Sequence, residues 1–315
     1  MFDIIGKRYL YFTLSLLVIV PGLIAMIYSM VTFGSPVRLS IDFTGGTLME
    51  LQFESPVKVG DVRAVFEERG FADTAVQNAG DDRTVVIRAK LLDPQTKVAV
   101  QNDLKAKLGP FTELRYDSVG PAVGAEVTRS ATLAVSAAAI CILLFIIFAF
   151  RRVPNSWRFG VCATIATCHD ILVAVGVFSI CGLLFGWEAD SLFLTALLTV
   201  TGFSVQDTIV VFDRIRENIP KRRGEPFEVI VNRSLLETLH RSLATQLNAI
   251  FVLIAILLFG GATIRQFVIV LLYSLFSGTY SSIFNAVPLL VVWEKGEVGA
   301  FLRRVFGKGA ARASA

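Results

Sequence analysis

The sequence predicts a helical membrane protein with six transmembrane helices and one α+β domain between the first two helices. Hydrophobic residues make up 54% of the 315 residues and the mean hydropathy is +0.64, both above the usual values for a soluble domain. In addition, six apolar stretches are long enough to cross about 30 Å of hydrocarbon, which takes roughly 20 helical residues. These stretches cover residues 10 to 33, 131 to 150, 159 to 186, 192 to 213, 242 to 263 and 266 to 293.

Lysine and arginine residues are concentrated on one side of these spans. Because short loops rich in these residues stay in the cytoplasm, we expect a multi-pass membrane protein with both termini in the cytoplasm. The net charge of +4 follows from this topology and does not indicate a nucleic-acid partner. The predicted domains are 1–33 with the first helix, 34–128 outside the membrane, 129–293 with helices two to six, and a basic tail at 294–315.

The external segment has the element order of a ferredoxin-like domain. A strand, a helix, two strands around a turn, a second helix and a last strand follow one another, as judged from hydrophobic periods. Asp93 and Pro94 are typical of a helix start and Gly109 of a helix end. The order β-α-β-β-α-β is that of the ferredoxin-like fold, which hosts many functions. The predicted ranges are 47 to 53, 62 to 69, 74 to 78, 84 to 88, 94 to 108 and 111 to 117.

Two glycine-containing segments border this domain. The first, residues 41 to 47, contains paired glycines, which permit positive φ angles or close backbone approach, so a sharp turn into the first strand is predicted. The second, residues 119 to 126, predicts a hinge before the second span. Neither segment ends in the Lys-Ser/Thr pair of a phosphate-binding loop. The residues singled out are Asp42, Gly45, Gly46, Gly120 and Pro121.

A carboxylate, Asp207, lies inside the fourth apolar span. Charged residues within a membrane are costly and usually functional. Asp207 is six residues before Asp213, at the basic loop, and therefore roughly 10 Å inside the span. The run from Ser234 to Glu237 resembles a capping box that would start the fifth helix, which would bring Arg241 to the same depth. A facing pair of Asp207 and Arg241 is therefore predicted.

The residues around this pair predict a polar face. Thr238, Arg241, Thr245 and Asn248 have spacings of three and four, so they share one side of the fifth helix, and Ser204 lies one turn before Asp207. Because arginine stays protonated in proteins, Asp207 must be the group that titrates. A static ion pair that holds two helices in register is the alternative.

Other charged residues are weaker candidates. His169 and Asp170 are adjacent in the third span, where helical neighbours point about 100° apart, so a facing pair is not expected; they are either packing residues or an auxiliary proton path. Asp213 and Arg214 are expected at a solvated helix end or in a loop contact. The four cysteines lie in spans two and three without metal-ligand spacing, so no metal site is predicted.

Five motifs together resemble the SecF family, whose members are membrane partners of SecD in bacterial protein export and are related to resistance-nodulation-division transporters. The resemblance covers nearly the whole chain, with two departures: Ser40 stands where the family typically has glycine, and Gln246 and Asn248 replace hydroxyl residues after Arg241. The motifs are residues 41 to 47, residues 119 to 126, His169-Asp170, residues 207 to 218 and residues 239 to 241.

The resemblance implies a translocase subunit that uses a proton or sodium gradient to promote preprotein translocation, with SecD, the SecYEG channel, the preprotein and membrane lipid as partners. It implies no cofactor besides the coupling ion. A small-molecule exporter subunit and a purely structural translocon subunit are the alternatives. An enzyme is not predicted, because no nucleophile, base and orienting residue occur together and both histidines are membrane-associated.

Overall fold

The computed structural model describes residues 3–79, 81–151 and 156–297. The chain forms two compact units. One consists of Leu39–Leu133 and Glu188–Ser191, here called the α+β unit, and the remainder of the described chain forms the membrane unit. The turn residue Gly80 and nearly all of the predicted basic tail lie outside the described residues.

The elements follow the predicted order along the chain. The N-terminal helix is α1 (Arg8–Phe33). The α+β unit contains α2 (Ile41–Thr44), β1 (Gly46–Phe53), α3 (Val59–Glu68), β2 (Ala75–Asn78), β3 (Thr84–Ala89), α4 (Pro94–Leu108) and β4 (Phe111–Val119). The helices that follow are α5 (Pro121–Ala149), α6 (Trp157–Phe185), α7 (Ser191–Lys221), α8 (Phe227–Phe259), α9 (Ala262–Ser281), a π-helical turn (Ser282–Ala286) and α10 (Val287–Glu294).

The α+β unit is ferredoxin-like, as the sequence predicts. Its four strands form an antiparallel sheet in the order β2-β3-β1-β4. Met49 of β1 lies opposite Ile87 of β3 and Tyr116 of β4, and one β-bulge follows Glu50. The apolar side chains of α3 and α4 pack on the sheet, where Phe66 and Leu104 are fully buried. Burial of these side chains is the main source of the unit's stability.

The start of α4 is fixed by a local signal that the sequence shows. Asp93 is the N-cap and its Oδ1 accepts a hydrogen bond of 2.7 Å from the backbone amide of Thr96. That hydrogen bond lowers the pKa of the Asp93 carboxyl, because it favours the ionised form. Pro94 occupies the first helical position, where its missing N–H is not needed. The predicted helix is therefore confirmed at its first residue.

All six predicted spans are confirmed as helices long and apolar enough to cross a membrane. Most are longer than predicted, and the largest difference is at α8. The capping-box prediction for Ser234 to Glu237 is wrong, because α8 begins at Phe227 after Pro226. Ser234 is an interior residue whose hydroxyl donates to the carbonyl of Ile230 at 2.8 Å, so it cannot cap the helix.

Close helix contacts in the membrane unit occur at small residues. Gly22 of α1 and Gly176 of α6 touch so closely that a Cβ on either would lie within 3.0 Å of the other's Cα. The serines of the sixth span form a tight internal interface, since Ser274, Ser281 and Ser282 are fully buried. Small residues at such contacts let helix backbones approach each other.

Candidate functional site

Asp207 is a buried carboxylate on α7, with 4% of its surface exposed. Its Oδ2 accepts a hydrogen bond from Nε2 of Gln246 on α8. The Oε1 atom of Gln246 and the hydroxyl of Ser242 are both buried without a hydrogen-bond partner in the described chain. No Lys or Arg among the described residues forms an ion pair with Asp207. The site therefore combines an unpaired carboxylate with two unsatisfied oxygen atoms.

The predicted facing pair of Asp207 and Arg241 is wrong in its geometry. Arg241 is exposed, and its side chain has no ion pair or hydrogen bond within the described ranges. The buried row of α8 consists instead of Thr238, Ser242 and Gln246, at a spacing of four residues. A permanently charged guanidinium is costly to bury, whereas uncharged polar side chains are less so.

The predicted polar face is divided between two sides of α8. Thr238 is buried and donates to the carbonyl of Ser234 at 3.0 Å. Thr245 and Asn248 are exposed, like Arg241, so the prediction that they point into the bundle is wrong. Asn248 lines an apolar pocket of about 520 Å³ with residues of α7 and α9. The spacing in the sequence pointed to the row of α8 that contains Arg241. In the structure, the buried row is the adjacent one, which contains Ser242 and Gln246.

Ser204 is buried beside a second carboxylate rather than beside Asp207. Its hydroxyl donates to Oδ2 of Asp170 at 2.5 Å, and Asp170 is 1% exposed. Two hydroxyls of α9 also donate to Asp170, from Ser281 at 2.6 Å and from Ser277 at 3.3 Å. The position of Ser204, three residues before Asp207, places the two carboxylates near one turn of α7.

His169 and Asp170 do contact each other, contrary to the prediction from helical directions. Nδ1 of His169 lies 3.0 Å from Oδ1 of Asp170. The argument from Cα directions fails because the imidazole reaches sideways around the helix to its neighbour. Nε2 of His169 is buried without a partner. The pair was a weaker candidate than Asp207 and Arg241 in the sequence.

The glycine turn places Asp42 at the start of α7. Gly45 and Gly46 have φ values of 71° and 124°, so the predicted sharp turn is confirmed. Oδ2 of Asp42 accepts hydrogen bonds from the backbone amide and the hydroxyl of Ser191, at 2.9 and 2.7 Å. Ser40, at the position where a glycine was expected, caps α2 through its hydroxyl.

The predicted hinge is reduced to one residue. Gly120 alone separates β4 from α5, since Pro121 already begins the helix. Within that helix, a Cβ on Gly124 would lie 2.8 Å from the backbone nitrogen of Gly45. The two glycine segments therefore pack against each other, which explains why both are glycine-rich.

Asp213 and Arg214 lie in a partly exposed network at the end of α7, as expected for a solvated helix end. Asp213 pairs with Arg216 at 2.6 Å, and Arg214 pairs with Glu237 of α8 at 2.5 Å. Sequence reasoning missed Asn218, which is buried and donates to the hydroxyl of Ser234 at 2.9 Å. The described residues contain no group of three His, Cys, Asp or Glu side chains suited to a metal ion.

Comparison with known proteins identifies the family. Residues 99–296 match the family described as "Protein export membrane protein SecD/SecF, C-terminal", and residues 31–57 match the "SecD/SecF GG Motif". The second match contains Asp42, Gly45 and Gly46, and the first contains both buried carboxylates. Both family matches therefore include residues of the candidate functional site.

Curated relatives and solved structures agree with this match. Proteins named "Protein translocase subunit SecF" from Anaerolinea thermophila and Thermobaculum terrenum are 49% and 48% identical, over 100% and 99% of this chain and 100% of theirs. The crystal structure of SecDF from Thermus thermophilus has a TM-score of 0.77 at 33% identity. The match covers 93% of this chain but only 39% of the SecDF chain. The chain therefore belongs to the SecD/SecF family of protein export membrane proteins, among which its relatives are SecF subunits of the protein translocase.

Proposed function

We propose that this SecF-type subunit couples an ion gradient to preprotein translocation, with Asp207 as the group that binds and releases the ion. The observation that carries the proposal is a carboxylate buried between two membrane helices without a cationic partner in the described chain. An isolated buried carboxylate is costly in its ionised form, and binding a proton or a cation relieves that cost.

Gln246 supports this role because an amide can serve both states of the carboxyl group. Its NH₂ group donates to Oδ2 of Asp207, a contact that suits the ionised carboxylate. After a rotation of the amide, its carbonyl oxygen could accept a hydrogen bond from a protonated Asp207. An arginine has no acceptor and suits only the ionised state. The Asp207–Gln246 contact is therefore compatible with a change of charge.

The exposed row of α8 supports a second membrane subunit as a partner. Arg241, Thr245 and Asn248 lie on this row, and polar or charged side chains that face lipid are costly. A neighbouring membrane protein would cover them, and SecD is the partner that the names of the family and of the SecDF structure suggest. In this proposal Arg241 acts at the interface with SecD rather than as the static partner of Asp207.

The remaining parts of the proposal follow from topology. The basic loops suit cytoplasmic termini in a bacterial inner membrane, with the α+β unit outside. There it would act on the emerging preprotein near the SecYEG channel. One charge that crosses a potential of about 100 mV releases roughly 2.3 kcal/mol, enough to change a two-state ratio about fifty-fold.

The test is export of a secreted precursor from cells whose only copy carries Asp207→Asn, a near-isosteric change that removes the charge. We expect gradient-dependent export to fall by about tenfold or more at normal membrane abundance. The matched control is Glu228→Gln, which removes a carboxylate that pairs with Lys295 in a partly exposed position on α8. Unimpaired export by Asp207→Asn would contradict coupling at this site and leave a structural role.

A further inference from the structure

The cluster around Asp170 is a second polar site in the membrane unit. Its carboxylate receives hydroxyl donors from two neighbouring helices, Ser204 of α7 and Ser277 and Ser281 of α9. Nδ1 of His169 completes the set at 3.0 Å. Four polar groups therefore converge on one buried carboxylate. In its ionised form this carboxylate carries a charge that no Lys or Arg of the described residues offsets through an ion pair.

His169 is the group that can offset this charge. When Nδ1 donates its proton to Asp170, Nε2 of the neutral ring is an acceptor, and this atom is buried without a partner. A proton on Nε2 would give an imidazolium beside a carboxylate, which is neutral as a pair. Without that proton the buried cluster carries one negative charge. The cluster therefore contains one basic atom whose protonation removes a buried net charge.

No Asp, Glu, Lys or Arg lines the described pocket beside His169. His169 lines a pocket of about 380 Å³ between α1, α6 and α9, and the residues that line it are apolar or uncharged. Asp207 is the nearest acidic group on α7, one turn beyond Ser204. The polar groups that contact the pair or line its pocket are Ser204 of α7, Tyr273, Ser277, Tyr280 and Ser281 of α9, and Ser15 of α1.

We propose that His169 and Asp170 form a second proton-binding site, with Nε2 of His169 as the atom that takes the proton. A hydronium ion transfers its proton to Nε2, an N–H bond forms and water is released, while Asp170 stays a carboxylate. Ser204 links the site to the turn of α7 that carries Asp207, so protonation at either site lowers the cost of the negative charge at the other. Only this link to the transport cycle rests on the proposed function.

The test reads the charge of the ring directly. The chain has two histidines, so the full chain labelled with ¹⁵N-histidine in lipid nanodiscs gives two pairs of imidazole nitrogen signals. His240→Gln assigns them, since it leaves only His169. We expect both ring nitrogens of His169 to carry protons in the acidic part of the range between about pH 5 and 8. A ring that keeps one proton at every pH overturns the proposal without any variant.

Two substitutions test whether Asp170 determines the protonation of His169. Asp170→Asn removes the carboxylate, and the doubly protonated population at a given pH should fall by about tenfold. Cys168→Ser, an exposed neighbour on α6, should leave it unchanged. An unchanged population in folded Asp170→Asn protein would overturn the assignment. Because no export is measured, this result is independent of whether Asp207→Asn stops export.

Discussion

Carboxylates are satisfied differently in the two units of the molecule. In the α+β unit, Asp81 and Asp93 accept hydrogen bonds from the backbone amides of Thr84 and Thr96, three residues later, at 2.6 and 2.7 Å. In the membrane unit, the donor to Asp207 and the three hydroxyl donors to Asp170 come from other helices. Local donors form together with a turn or a helix end, whereas donors from other helices exist only while the helices stay packed.

In the membrane unit, this difference ties the charge of Asp207 and Asp170 to the packing of the helices. A change in the charge of Asp207 alters its contact with Gln246 and therefore the contact between α7 and α8. A change in the charge of Asp93 affects only the first turn of α4. A carboxylate with donors on several helices is thus suited to drive a rearrangement, and a carboxylate with local donors is suited to stay constant.

The largest effect on stability is expected from Asp170→Asn. The amide cannot accept all four hydrogen bonds, so buried hydroxyls on two other helices lose their acceptor, and each such loss costs about 1–3 kcal/mol. We expect the free energy of unfolding to fall by about 3 kcal/mol or more in detergent denaturation. Ser277→Ala, which removes the longest of the hydroxyl contacts at 3.3 Å, is the matched control and should cost less. An equal loss of unfolding free energy in Asp170→Asn and Ser277→Ala would contradict the idea that Asp170 organises the helices.

A smaller effect is expected from Gln246→Leu. It removes the donor to buried Asp207, which we expect to lower the free energy of unfolding by about 1–3 kcal/mol when the carboxylate is ionised. Arg241→Leu, five residues earlier on the exposed side of α8, should change the stability of the isolated chain by less than about 0.5 kcal/mol. Urea denaturation of both variants measures the difference. A reversed order would restore Arg241 as the partner of Asp207.

Arg241→Leu and Gln246→Leu should also differ in their effect on the binding of SecD. Arg241→Leu is expected to weaken co-purification with SecD, since the exposed row is proposed to meet that subunit, while Gln246→Leu should leave it intact. Quantitative co-purification from membranes measures this. Loss of SecD in both variants would instead indicate that α8 as a whole is disturbed.

The smallest effect is expected at the cap of α4. The Thr96 amide lowers the pKa of Asp93 in the folded state, so this contribution is complete above the unfolded pKa of about 3.9 and is lost as the pH falls through the lower folded pKa. Asp93→Ala should lower Tm by a few degrees at neutral pH and by less in acid. Thr96→Ala, which keeps the carboxylate and the backbone amide, should have a smaller effect. A Tm difference that does not depend on pH would contradict this account.

The sequence predicts the parts of the fold that depend on local signals. Asp93-Pro94 and the glycine turn are correct because the residues that determine them are adjacent in the chain. The six spans are correct because their length and apolarity are properties of single segments. Within the site, the sequence identifies Asp207 correctly as a buried carboxylate on a membrane helix.

The partners of that carboxylate could not be predicted, because they depend on the rotation of α8 about its axis. Thr238 belongs to both candidate rows, and spacing alone does not distinguish Arg241 from Gln246. The cost of burying a guanidinium selects the second row. The contact of His169 with Asp170 was excluded by reasoning from Cα directions, which ignores the length and torsions of the side chains.

The hydrogen bonds between Asp42 and Ser191 have a mechanical consequence. Ser191 is the first residue of α7, and about 24 Å of uninterrupted helix leads from it to Asp207. Asp42 holds the first residue of this helix, together with the hydrogen bond from the Ser40 amide to the Ala189 carbonyl just before it. Because β1 begins at Gly46, a few residues after Asp42, the first residue of α7 is anchored to the segment that leads into the β-sheet, and loss of the Asp42 carboxylate would loosen that anchor.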